Sequence, residues 1–462
     1  MTEVSSVRLG TPTGRAVIAA ATLGSGLTLL DGTVVNVALR RMGSDLDASL
    51  QQLQWITNGY LLSLASLILL GGSLGDRFGR RRIFVLGTVW FALGSLLCGI
   101  APSAEVLIVA RILQGIGGGL LTPGSLAMIQ GAFHRDDRSA AIGAWSGLGA
   151  IAAAVGPFVG GILVDHASWR WIFLVNLPLA VVTIVLTNRS VPESRDPSAS
   201  THFDLAGAGL TMVSLGGLTY ALIEWGSTWA LVAGVAGLLA GVGLVLVERA
   251  EREPMVPLEL FADRTFSAAN AMTLVVYGAL GAVLFFLVLQ LQTVAGWSAL
   301  EAGLATMPIT VCMLLLASRG GRLGARIGPR IPMTVGPLVM AVGVLGLWRA
   351  DADTVYWIDV LPGLTVFGLG LALMVAPLTS TVLAAAPDEH AGIASGVNNA
   401  VARSGSLLAV AALPMAVGLG GADYEKPAVF DAAYPWALVA CAALLALGGL
   451  LSWLLIPHTL AE

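Results

Sequence analysis

An all-α integral membrane protein with about fourteen transmembrane helices is the fold class this sequence predicts. Three observations lead there. Of its 462 residues only 11% are charged and 56% are hydrophobic, with a mean hydropathy of +0.85, whereas a soluble domain is about a quarter charged. Apolar runs of about 18–25 residues, each long enough to cross a bilayer, recur along the whole chain. Glycine occurs 57 times, and small residues let membrane helices approach closely. The net charge of −4 says little, because the charges are confined to loops, and nothing points to nucleic acid as a partner.

The first run, near 16–39, follows MTEVSSVRLGTPTGR. That leader lacks the small-residue cleavage site of a signal peptide, so the run is expected to stay as a span. Further spans are predicted near 52–73, 82–101, 104–124, 139–163 and 169–188, then 205–224 and 229–248. The last six fall near 268–290, 300–318, 331–349, 357–378, 391–418 and 434–456. Arginines sort the loops. One set of loops holds Arg77, Arg80, Arg81, Arg82, Arg135, Arg138, Arg189, Arg195, Arg249, Arg252, Arg264, Arg319, Arg322, Arg326 and Arg330, with Arg8 and Arg15 in the tail, while the other holds Arg40, Arg41, Arg170, Arg349 and Lys426. The positive-inside rule makes the first set cytoplasmic, and an even span number then puts both termini there.

Two stretches echo each other: GGSLGDRFGRRR (71–82) after the second span and GGRLGARIGPR (320–330) after the tenth. Aligning them divides the chain into a six-helix bundle (1–190), an inserted hairpin with its linkers (191–265) and a second six-helix bundle (266–462). Parallel halves of this kind are a transporter architecture, with the site near the midplane between them. Cys98, Cys312 and Cys441 all lie in apolar spans without a CxxC pair, so neither a disulfide nor a metal site is expected. The five histidines fall in loops or tails, which makes a histidine proton relay unexpected. The sole lysine, Lys426, belongs to no phosphate-binding loop. No catalytic machinery or cofactor site is recognisable.

The first of the echoed loops resembles the cytoplasmic signature of the major facilitator superfamily, through Gly72, Leu74, Asp76, Arg77, Gly79, Arg80 and Arg81. A merely topogenic basic loop accounts for the arginines but not for the spacing of glycine and aspartate. The resemblance implies a cytoplasmic gate. The second copy has Ala325 where Asp76 stands, so the gate should rest on the first copy. GLGAIAAAVGPFVGG (147–161) resembles the superfamily's antiporter motif at Gly147, Gly156, Pro157, Gly160 and Gly161, which implies export. The competing reading is any glycine-rich membrane helix.

LDGTVVNVAL (30–39) resembles the first-span motif of the fourteen-span drug:proton antiporters, and QWITNGYLL (54–62) and WRWIFLVNLP (169–178) resemble that subfamily's second and sixth span starts. RILQGIGGG (111–119) resembles the superfamily's buried-arginine motif. At the helical rise, Asp31 lies about 12 Å and Arg111 within about 10 Å of the outer end, so the two are level. The resemblance implies a major facilitator fold. It also implies proton-coupled export of an amphipathic small molecule across a bacterial inner membrane, by a monomer, with Asp31 carrying the proton and Arg111 tuning it. Two plainer readings stand beside this: a permanently paired Asp31, and an Arg111 that snorkels outward. Asn36, Gln114, Asn398, Asn399 and Arg403 are polar residues inside spans and candidates for the substrate cavity. Glu224 and Glu301, near the outer ends of their spans, are weaker candidates. A dedicated exporter of one secondary metabolite, or a lipid transporter on the same fold, are the alternatives.

Overall fold

Local chemistry sets where each helix starts. In the computed structural model, which describes residues 7–195, 204–251, 254–387 and 390–458, Thr11 caps α1 (Pro12–Leu46) by accepting from Gly14 N–H, with Pro12 in the first turn. Ser49 and Gln52 form a reciprocal capping box at α2 (Leu50–Phe78). The bundle continues with α3 (Arg80–Gly99), α4 (Ala104–Ala132), α5 (Arg135–His166), and α6 (Trp171–Leu174) leading into α7 (Asn176–Ser190). A hairpin of α8 (Leu205–Ile223) and α9 (Thr228–Ala250) follows. The rest is α10 (Arg264–Thr293), α11 (Ala299–Ala305), α12 (Met307–Ile327), α13 (Arg330–Leu345), α14 (Leu361–Ala384), α15 (Ala391–Ala416) and α16 (Pro427–Leu455).

Among the described residues, 13 helical stretches are long and apolar enough to cross a membrane, with α6–α7 and α11–α12 each counting as one. The remaining expected span is α15. Its 26 residues give it the length, but Asn398, Asn399 and Arg403 lower its apolarity. The hairpin is the most lipid-facing part. Trp229, Leu231, Leu238, Leu239, Val242 and Leu246 of α9 are all exposed, which only a hydrocarbon environment accommodates.

Helix pairing repeats along the chain. In the first bundle α1 packs on α5 and α7, and α4 packs on α2 and α3; in the second, α10 packs on α15 and α16, and α14 packs on α12 and α13. The cross-pairs follow the same rule, with α2 against α15 and α5 against α11 and α12. The hairpin helices pack on each other, and α8 lies along α2 and α15. A set of hydrogen bonds joins the bundles at the end away from the 71–82 loop. Gln54 Nε2 donates to the Val410 and Ala411 carbonyls at 2.7 and 3.0 Å, and Gln292 Nε2 donates to the Val37 carbonyl at 2.8 Å. Asp165 receives the Ala299 and Leu300 N–H groups at 3.0 and 2.8 Å and so caps α11.

The α2–α3 turn needs a glycine. Gly79 has φ of +116°, and a Cβ there would meet the Glu193 carboxylate at 2.7 Å. We expect Gly79→Ala to cost about 1–3 kcal/mol, the usual range for a non-glycine residue held in such a conformation. Thermal unfolding in detergent checks this, and an unchanged midpoint would mean that the turn is not held this way.

Candidate functional site

Asp31 faces inward from the middle of α1, and no part of it is exposed. Glycines bring its partners close. A Cβ at Gly115 would collide with the Tyr60 carbonyl and the Ser63 hydroxyl, and one at Gly117 with the Phe91 backbone, so α4 lies tight against α2 and α3. Arg111, 1% exposed, is thereby held inside the bundle rather than snorkelling to the surface. Its Nη1 donates to Asp31 Oδ2 at 2.5 Å and to Gln114 Oε1 at 2.6 Å, and its Nε donates to the Ile56 carbonyl at 3.0 Å. The guanidinium carbon sits 4.3 Å from the Tyr60 ring centroid and 5.6 Å from that of Phe173, close enough for cation–π attraction.

The second carboxylate oxygen is also held. Gln114 Nε2 donates to Asp31 Oδ1 at 2.8 Å and to Ser95 Oγ at 2.7 Å. Asn176 Nδ2 donates to Ser95 Oγ at 3.2 Å and reaches Asp31 Oδ1 at 3.5 Å. Sequence reasoning singled out Asp31, Arg111 and Gln114 but not Ser95, Asn176 or Tyr60. Asn176 lies within WRWIFLVNLP, and that was the only signal available for it. The network belongs wholly to the first bundle.

A family profile described as Major Facilitator Superfamily matches residues 21–206 and 203–410. The chain belongs to the major facilitator superfamily. Among its relatives is the tetracenomycin C resistance and export protein of Streptomyces glaucescens, 35% identical over 400 residues, which span 85% of this chain and 74% of that protein. Another is the methylenomycin A resistance protein of Bacillus subtilis, 35% identical over 455 residues, 96% of this chain and 94% of that one. The crystal structure of a D-xylose-proton symporter shares the fold, with a TM-score of 0.68 at 17% identity over 96% of this chain and 98% of that one. A member of this superfamily is a membrane transporter, not an enzyme.

The superfamily's loop signature is built as follows. Asp76 Oδ1 accepts from Arg80 Nε and Nη2, both at 2.8 Å, across the α2–α3 turn. Arg80 also reaches the Ala127 carbonyl at 3.4 Å, and Arg81 N–H donates to Glu193 at 3.0 Å. Gly72 lies 3.7 Å from Pro123, measured from where its Cβ would stand, and the Arg77 guanidinium sits 5.3 Å from the Phe78 ring.

The antiporter-motif residues meet α1 and α11. A Cβ on Gly156 would strike Thr33 Oγ1, one on Gly160 would lie 2.7 Å from Val34, and one on Gly161 would strike the Leu300 backbone. The Pro157 carbonyl would lie 2.7 Å from a Cβ on Gly303. Gly147, by contrast, has open space where a side chain would go, so no close approach demands glycine there.

The other candidates scatter. Asn36 is half-buried on α1. Asn398 turns toward α10, donating to Asn270 Oδ1 at 3.1 Å and Thr273 Oγ1 at 2.8 Å. Arg403 donates to Asn399, one turn back, at 3.1 Å, and has Tyr60 and Tyr277 as electrostatic neighbours. Glu301 completes the capping box of α11, receiving Ser298 N–H at 2.8 Å, and Glu224 ends α8.

Removing one partner of a buried pair leaves an uncompensated charge. Arg111→Met should therefore destabilise the protein by about 3–5 kcal/mol, and the double variant Asp31→Leu/Arg111→Met by less. Denaturant unfolding of both checks this; equal losses would mean that the pair is not what organises the site. Gly161→Leu should push α11 off α5, read as a lengthened distance between spin labels on the exposed positions His166→Cys and Leu304→Cys.

Proposed function

We propose that the chain is a proton-driven exporter of amphipathic organic molecules, of the fourteen-span drug:proton antiporter type. It works in a bacterial inner membrane, with both termini cytoplasmic. The observation that carries this reading is Asp31, a carboxylate kept at mid-span with a full set of donors. Such a group is costly in a membrane, and a transporter that exchanges protons has a use for it. The names of the relatives support export, and the arginine-rich loops support the orientation. Both relatives are named for one antibiotic each, which favours a narrow substrate range as the second reading.

Protonation of Asp31 removes the charge that holds Arg111. Arg111 is also anchored to α2, through the Ile56 carbonyl and the Tyr60 ring. About 1.7 turns before Tyr60 in the same helix stands Gln54, whose amide joins α2 to α15. A change at Asp31 thus reaches the junction between the bundles through a single helix. Rocking of one bundle against the other then exposes the substrate site to alternate sides.

The test is reconstitution in liposomes, with efflux of a panel of lipophilic cations and antibiotics measured alongside proton flux under an imposed pH gradient. Asp31→Asn should fold and lose more than about ten-fold of gradient-driven exchange, in line with removal of a positioned proton carrier. Asp31→Glu should keep part of it, because the group still titrates. Full proton-coupled exchange in Asp31→Asn overturns the assignment, and efflux of a single compound from the panel selects the narrow reading.

A further inference from the structure

The second bundle holds a charge that the Asp31–Arg111 pair leaves untouched. Arg403 stands near the middle of α15, which runs from Ala391 to Ala416. At the helical rise it lies about 18 Å from the nearer end, farther than its side chain extends, so it cannot snorkel to an interface. Arg403 is nevertheless partly exposed, and Asn399 and Gly392, on the same stripe of the helix, are exposed. An unpaired guanidinium at this depth is not tolerated against hydrocarbon. The stripe therefore faces a cleft within the protein.

The neighbours of α15 locate that cleft. On one side Asn398 bonds to Asn270 and Thr273 of α10, and Ser406 Oγ donates to the Tyr277 carbonyl at 2.8 Å. On another, a Cβ on Gly396 would meet Leu69 of α2 at 2.7 Å. Val397 and Val401 point a third way, toward the hairpin. At 3.6 residues per turn, Asn399 and Arg403 fall in the arc between Ser406 and Gly396. That arc lies between α10 and α2, which belong to different bundles, and the transport site of this architecture lies in the space between bundles. Gln54, bonded to the Val410 and Ala411 carbonyls, shuts the far end of the stripe, and the exposed Asn399 and Gly392 lead from Arg403 toward the end that carries the 71–82 loop.

The guanidinium itself narrows the ligand. Its Nε donates to Asn399 Oδ1 at 3.1 Å, and among the described residues no carboxylate pairs with it. Asp31, the other mid-span acid, is fully buried and already bonded to Arg111. The edge formed by Nη1 and Nη2 makes no hydrogen bond to the described residues. Such an edge is a planar fork of donors that matches both oxygens of a carboxylate. A neutral molecule leaves the charge of Arg403 uncompensated, and a cation is repelled by it. An ionised carboxylate satisfies the charge and the fork together.

We propose that Arg403 is the residue that reads substrate charge, through a two-pronged bond from its free edge to a carboxylate, and that the molecules carried are amphipathic organic acids in their ionised form. This deepens the export reading and rests on it for the direction of movement. The test reads binding without any gradient. Its failure leaves gradient-driven export standing, whereas acid binding without gradient-driven efflux sinks the export reading alone.

The probes are dansylglycine, dansylleucine and dansylphenylalanine, each compared with its neutral carboxamide, by fluorescence on the full chain in lipid nanodiscs with empty discs subtracted. At least one acid should bind about ten-fold or more tightly than its amide, as expected when a desolvated charge gains its partner. Arg403→Gln should erase that preference and leave amide binding unchanged. Arg403→Lys should keep part of it, because the charge stays and the fork is lost. Thermal unfolding of Arg403→Gln should occur no earlier than that of the wild type, since no ion pair is broken; a residue with only a structural role would show the reverse. Equal binding of every acid and its amide by the wild-type protein, or no acid binding at all, overturns the proposal. So does an undiminished preference in folded Arg403→Gln. If that variant does not fold, the wild-type comparison and Arg403→Lys decide the matter.

Discussion

The ion pair between Asp31 and Arg111 constrains the first bundle more than any other contact. Neither charge reaches water, and taking such groups out of water costs several kcal/mol per ion unless nearly every donor and acceptor is satisfied. That requirement fixes the neighbours. Gln114 must present its carbonyl to the guanidinium and its amide to the carboxylate, which it does from one turn further along α4. Ser95 and Asn176 complete the shell from α3 and α7. The glycines at 115 and 117 follow from the same demand: unless α4 sits tight on α2 and α3, the Ile56 carbonyl and Ser95 hydroxyl do not reach their partners.

The two bundles share a pairing order but not this chemistry. Where the first holds a full charge pair, the second packs Asn398 against Asn270 and Thr273, a neutral arrangement. Its glycine-rich loop has Ala325 in place of the aspartate that receives Arg80 in the first copy. The two bundles thus share a pairing scaffold, and the buried Asp31–Arg111 charge pair belongs to the first. Arg403 adds a cation on α15, bonded to Asn399 one turn back. Tyr60, the ring that Arg111 stacks on, belongs to α2, the helix that also reaches α15 through Gln54.

Much of this could be read from the sequence, because it depends on local patterns. Span lengths, the repeated loop and the equal depths of Asp31 and Arg111 all follow from counting residues along helices. What could not be read depends on helix rotation and on which distant segments meet. Ser95 carries no mark that distinguishes it from any other residue of its span, and Ile56, although inside QWITNGYLL, acts through a main-chain carbonyl that its side chain does not announce. Gly147 and Gly156 look alike in the motif, yet only Gly156 faces α1. Asn398 is visibly polar within a span, but its direction is set by how α15 crosses α10. Glu301 is a different case. Its spacing from Ser298 is a capping-box pattern present in the sequence, and its position near a span end made it a weak site candidate instead.

The seam between the bundles fits the small free energies that a transporter can command. Its side-chain bonds are mostly neutral, from glutamine amides to main-chain carbonyls, and such bonds contribute about 0.5–1.5 kcal/mol each. The exception is Asp165, which holds two N–H groups at the start of α11 with charge-assisted bonds. Glycines at 156, 160 and 161 allow this closeness without side chains that must disengage. A junction made this way is specific in geometry and modest in strength. An arrangement with the seam parted then lies within a few kcal/mol, and a ligand shifts such an equilibrium only by its differential affinity for the two states. A proton on Asp31 or a substrate between the bundles is a ligand of that size, whereas a seam of buried salt bridges would hold the bundles beyond the reach of either.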